Sequence, residues 1–104
     1  MEMKISGIHF LPRETKLFIS NLKKGTPLKF TPDPDNEYDN NAIKIVALNE
    51  DAEEVFIGFV PKEHNVELLK KINCKKKMIA TYAEKQKFNL VEEGEQVTLL
   101  GMVF

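Results

Sequence analysis

A mainly β fold, built as a small barrel or strongly curved sheet plugged by one clear helix, is predicted by three features of this 104-residue chain. Apolar and polar residues alternate at period two over residues 28–31, and apolar positions recur at period two over residues 43–48, the signature of strands. Clusters of Gly, Pro, Asn and Asp punctuate these runs as turns. Residues 62–72 read as the one clear helix, with Val66, Leu69 and Ile72 three apart as a core-facing stripe.

Taken in order, residues 3–10 read as a first strand with Ile5, Ile8 and Phe10 among its apolar positions. Leu11-Pro-Arg-Glu-Thr15 is a break, and residues 16–22 form an apolar-rich connector whose type the pattern leaves open. Lys23-Lys-Gly-Thr-Pro27 is a turn, because Gly25 supplies a positive φ and Pro27 fixes the following residue. Leu28 and Phe30 alternate with Lys29 and Thr31 as a strand. After a long polar loop, Ile43, Ile45 and Ala47 alternate with Lys44, Val46 and Leu48, so this strand is apolar on both faces and belongs within a barrel or a doubly packed sheet. Residues 49–54 make an acidic turn. Residues 55–60 return as a strand ended by Pro61, and Gly58 inside it signals a bulge or a close backbone approach. The helix places Glu63 in its first turn and Lys70 and Lys71 in its last, which suits its dipole. Residues 78–83 and 97–104 complete five to seven strands, separated by a polar segment containing Phe88 and Gly94.

The length sets a single domain over residues 1–104. With 30% charged residues and a net charge of −1, the chain offers no general attraction to nucleic acid or anionic lipid, so any nucleic-acid binding rests on a local site. Cys74 is the single cysteine, which rules out an intrachain disulfide and suits a reducing compartment. Met1-Glu-Met-Lys-Ile5 has no apolar run behind a basic leader, and no stretch reaches the roughly 20 apolar residues of a membrane helix. A cytoplasmic protein with no membrane contact is expected.

The loop from Phe30 to Ile45 is the most informative stretch. It holds three aspartates, three asparagines, two prolines and Tyr38, far more than a hairpin connection of about two to five residues requires. Asn41 leads straight back into strand alternation, which holds Tyr38, Asp39 and Asn41 on the rim of a sheet. Asp33, Asp35 and Glu37 at every second position invite a calcium reading. The EF-hand template, however, wants Gly where Tyr38 stands and a bidentate Glu where Lys44 stands. His9, His64 and Cys74 lack zinc-ligand spacing. Ser6, Ser20 and Cys74 have no activating motif around them, and the five glycines are too scattered to cradle a phosphate. No cofactor or metal is called for. Lys70, Lys71, Lys75, Lys76 and Lys77 form a basic cluster that reads either as a solvated helix end or as a landing area for phosphates.

Asp33-Pro-Asp-Asn-Glu-Tyr-Asp-Asn-Asn-Ala-Ile-Lys-Ile45, followed by Ile57-Gly-Phe-Val-Pro-Lys62, resembles the signature of the HIRAN domain family. Gly7-Ile-His-Phe10 is similar to the family's opening strand, and Leu22-Lys-Lys-Gly-Thr-Pro-Leu28 to the turn before its signature strand. The resemblance implies an OB-like or SH3-like β barrel that binds the free 3′ end of single-stranded DNA without catalysis, in repair or replication-fork processing, alongside a helicase or nuclease. It assigns Asp39 to the terminal 3′-hydroxyl, Tyr38 and Phe10 to stacking on the last bases, Asn36 to fixing the end, and Lys62 to a backbone phosphate. His9 and Phe59 become wall residues. Pro32 departs from the pattern, standing where many members carry Arg.

From the residues alone other readings stay open. Tyr38 covers the core beneath the loop or stacks on a ligand, Asp39 and Asn41 close the loop by mimicking backbone turns, Phe10 is a core residue, and Lys62 is solvated. A protein-interaction module taking a peptide in the same groove, and a metal-dependent nuclease built on the acidic loop, are the rival functions.

Overall fold

The computed structural model of the chain describes residues 1–92 and the short strands Thr98–Leu99 and Met102–Val103. Strands β1 (Glu2–Lys4), β2 (Pro27–Pro32), β3 (Ile43–Leu48), β4 (Glu54–Phe59), β5 (Met78–Tyr82) and β6 (Lys87–Glu92) form one antiparallel sheet in the order β1-β6-β5-β2-β3-β4. Two helices, α1 (Arg13–Ser20) and α2 (Lys62–Asn73), accompany it. The sheet curls until its edges meet. Just past β1, Ser6 exchanges two backbone bonds of 2.9 Å with Phe59 of β4. The mainly β, OB-like expectation is met, and the second helix falls on the connector whose type the pattern leaves open.

The core lies inside the curl. Ile43, Ile45 and Ala47 of β3 point inward with Ile57, Ala80, Phe88 and Leu90, and Phe30 meets Phe88 edge-on at 5.7 Å. The outer face of β3 is not packed as expected: Val46 is half-buried and Leu48 is exposed. Helix α2 directs Leu68, Leu69 and Ile72 at the core, while Val66 faces out and Asn65 is buried in its stead. A stripe read at spacing three alone drifts around a helix of 3.6 residues per turn, and the observed 65/68/69/72 set corrects it.

Two further expectations change and one open reading is settled. Residues 3–10 are not one strand: Gly7, at φ 79°, turns the chain into a single 3-10 turn over Ile8–Phe10, which removes Phe10 from any sheet. The connector after Pro12 is helix α1, which buries Ile19 and packs against β4. The polar segment around Phe88 is strand β6. It was hidden because its hairpin turn places Lys85 and Gln86 at φ 52° and 63°, a conformation that Asn-Gly normally announces. The Tyr82 hydroxyl accepts the Gln86 N–H at 3.0 Å and steadies that turn. Of the strand expected over residues 97–104, Thr98–Leu99 and Met102–Val103 pair with each other, and the remainder lies outside the described residues, as does Gly94.

The basic cluster resolves in part. Lys71 and Lys76 grip Glu92 at 2.8 and 3.2 Å, tying the end of α2 to β6 and holding the Glu92 carboxyl below its usual range.

Gly58 meets both halves of its sequence reading. Ile45 pairs with Gly58 and Val46 with Phe56, so β4 carries one extra residue at Ile57. A Cβ on Gly58 would stand 2.5 Å from Ile5 Cγ2 and 2.7 Å from the Ser6 carbonyl oxygen, at a φ of 142° that L residues avoid. Gly58→Ala should destabilise the fold by about 3 kcal/mol, combining overpacking and backbone strain, as read from the urea midpoint. Replacing Lys85-Gln86 by Asn-Gly should raise that midpoint, since Asn and Gly accept positive φ at less cost; an unchanged or lower midpoint would count against the turn assignment.

Candidate functional site

Loop residues 33–42 are organised by their own side chains. Asn36 Oδ1 accepts the N–H groups of Tyr38 and Asp39 at 2.9 and 3.0 Å, and its Nδ2 donates to Asp33 Oδ2 at 3.0 Å. Asp39 Oδ1 accepts the Asn41 N–H at 2.9 Å. These are the Asx turns that Asn and Asp form readily. The loop is latched where Asp33 N donates to the Ala42 carbonyl.

The latch has a second, distant partner. Asn65, buried in the first half of α2, donates Nδ2 to Asp39 Oδ2 at 2.8 Å. The Asp39 carboxyl is held below its usual range, first by the Asn41 N–H, against an opposing desolvation that exceeds either of the two lesser stabilising effects, the Asn65 hydrogen bond and the positive charge of Lys62. Asp39 therefore stays ionised at neutral pH. Its contribution to stability is complete above the ordinary Asp value of about 3.9 and is lost as pH falls through the lowered value. A carboxylate oxygen has two lone-pair directions, so each Asp39 oxygen keeps one for a ligand.

Asp39 opens onto a cleft of about 820 Å³. Its walls are Phe10, Leu11, Tyr38, Ala42, Phe56, Phe59 and Val60, with Asn36, Lys62 and Asn65 adding polar groups. Six of the seven site residues expected from sequence (Phe10, Asn36, Tyr38, Asp39, Phe59 and Lys62) border this one space. His9 faces the neighbouring groove, its ring 4.0 Å from that of Phe10. Two readings fall away. Phe10 is 82% and Tyr38 89% exposed, so neither is a core residue or a cover for one.

Sequence reasoning missed Asn65 and Phe56. Asn65 carried no signal beyond a polar residue at a core-facing helix position. Phe56 and Phe59 are three apart, which strict alternation would send to opposite faces. The extra residue at Ile57 corrects the parity, so the two rings share the cleft and meet edge-on at 5.1 Å. Lys44 then sits over Phe56 at 5.8 Å from the ring centre.

Fold and site together define a mainly β module with an aromatic cleft at its rim and a fixed carboxylate at the cleft's mouth. The chain belongs to the HIRAN domain family, whose model matches residues 1–93. The HIRAN domain of human HLTF shares its fold with a TM-score of 0.66, at 16% identity over 88% of this chain and 73% of that one. A protein from Lactobacillus plantarum does so with a TM-score of 0.69, at 16% identity over 86% of this chain and 85% of its own. Among curated proteins none matches in sequence. Among the described residues, no helix is long and apolar enough to cross a membrane, and no three His, Cys, Asp or Glu side chains group as a metal site.

Asn65→Ala should move the Asp39 carboxyl upward toward the ordinary value, by less than loss of the Asn41 N–H would, as followed by NMR titration of the side-chain carbon. An unmoved titration would mean that Asn65 does not hold the carboxylate.

Proposed function

We propose that this HIRAN domain binds single-stranded DNA by its free 3′-hydroxyl end and has no catalytic step of its own. The observation that carries the reading is the Asp39 carboxylate, fixed and ionised at the mouth of a cleft flanked by the exposed rings of Phe10 and Tyr38. The physical fit is direct. Base stacking on aromatic faces contributes about 1–3 kcal/mol per base and tolerates any base. A carboxylate only accepts hydrogen bonds, so a terminal hydroxyl suits it and a terminal phosphate is repelled. Such recognition needs few cations, which agrees with a chain of net charge −1. Lys62, at the start of α2 and beside Asp39, meets the last phosphate, Asn36 acts by holding Tyr38 and Asp39 in place, Phe59 forms a wall, and His9 stands in the neighbouring groove against the Phe10 ring. Free 3′ ends arise where strands are unwound or resected, which places the protein with a helicase or nuclease in repair or fork processing, in the cytoplasm.

The rival is a peptide seated in the same cleft, which the apolar lining of Phe56, Phe59, Leu11 and Val60 also suits. Fluorescence anisotropy with oligothymidylates separates the two. A 3′-hydroxyl end should bind, a 3′-phosphate end roughly tenfold to a hundredfold more weakly, and Asp39→Ala should erase that difference. Phe10→Ala should weaken every end by roughly tenfold. Equal affinity for both ends in the parent chain would end the DNA-end reading and leave the peptide reading ahead. The affinity lost on Asp39→Ala should stay constant down to pH 5 and vanish only as Asp39 takes up its proton, below the ordinary Asp value of about 3.9.

A further inference from the structure

A second groove, of about 630 Å³, adjoins the aromatic cleft and shares Ser6, Gly7 and Lys62 with it. Its chemistry differs. Lys4 comes from β1, His9 from the 3-10 turn, Lys16 from α1 and Lys62 from α2, so four separate elements each contribute a basic side chain to one concave surface. Glu63 is the single acidic residue among its lining. Neither Lys4 nor Lys16 is ion-paired among the described residues, whereas Lys71 and Lys76 at the far end of α2 are held by Glu92. Helix α2 also begins at this groove without a side-chain cap, so the positive end of its dipole adds to the lysines.

The two grooves form one surface with an aromatic half and a cationic half, joined at the Ser6–Gly7 turn. His9 and Phe10, with rings in contact, straddle the junction and face one half each. A single nucleic-acid strand has the matching asymmetry. Its terminal bases present flat apolar faces, and the chain behind them carries one negative charge per residue. We infer that the Lys4–Lys16 groove is a phosphate track that takes the backbone of the nucleotides 5′ to the bound end. This rests on the end-binding reading and extends it, because it gives the direction in which the strand leaves the cleft and a second energetic contribution that grows with strand length.

The test measures oligothymidylates of three and ten nucleotides, each with a free 3′-hydroxyl, against the parent chain, Lys4→Ala/Lys16→Ala, and Lys75→Ala/Lys77→Ala as a charge-matched control. The parent should bind the ten-nucleotide strand at least tenfold more tightly than the three-nucleotide one. Lys4→Ala/Lys16→Ala should lose that gain while binding the short strand and rejecting a 3′-phosphate as before, which also shows that the variant is folded. Its salt slope on the long strand should shrink by roughly 1.4, about 0.7 for each phosphate contact removed. The control pair should leave gain and slope intact. A parent that binds both lengths equally, or a control that loses as much as the groove variant, overturns the track while end discrimination stands untouched. Loss of discrimination between 3′ ends in the parent removes the end-binding reading and the track with it.

Discussion

The contact on which the rest of this molecule depends is backbone to backbone: the reciprocal pair of hydrogen bonds between Ser6 and Phe59. It joins the first strand to the last of the sheet order and turns an open antiparallel sheet into a curl around Phe88 and the isoleucines of β3 and β4. It is possible only because Gly58, next to Phe59, has no side chain to strike Ile5 and the Ser6 carbonyl. The same seam builds the site. It brings Gly7 and the 3-10 turn against β4, so Phe10 is carried across to the rings of Phe56 and Phe59, and it leaves Ser6 and Gly7 as the ridge between the aromatic and the basic grooves.

Much of this was legible in the residues, for identifiable reasons. Strands β2 and β3 declared themselves by alternation and β4 by its apolar run ended at Pro61, and Gly58 announced its bulge because a glycine inside a buried strand has few other uses. The loop was legible because Asn36, Asp39 and Asn41 are residues whose side chains bond to nearby backbone. Its motif named a family that the match over residues 1–93 then established.

What stayed hidden was hidden by non-local effects. Strand β6 follows a turn of Lys85 and Gln86, whose positive φ values are imposed by the hairpin and by Tyr82 rather than by their own preference. The departure of Phe10 from the first strand depends on where Gly7 turns the chain, which residue type alone does not fix. Asn65 was unreadable for a different reason: its partner, Asp39, lies 26 positions away. Phe56 joined the cleft only through a change of parity made elsewhere in its strand. The basic cluster shows the converse error, since proximity in sequence suggested one function for lysines that the fold divides between a structural clamp on Glu92 and exposed charges.

The loop carries a quieter implication. Its shape is kept by Asp33, Asn36, Asp39 and Asn41, while Asp35, Glu37 and Asn40 stand exposed between them with no hydrogen bond or ion pair among the described residues. Loop geometry and outward charge are thus carried largely by interleaved positions of the same short segment, with Asp39 serving in both. Descendants of this chain can rewrite one set, adjusting charge at the rim, while the other keeps the architecture constant. That separation lets a stretch this short diversify without unfolding its bearer.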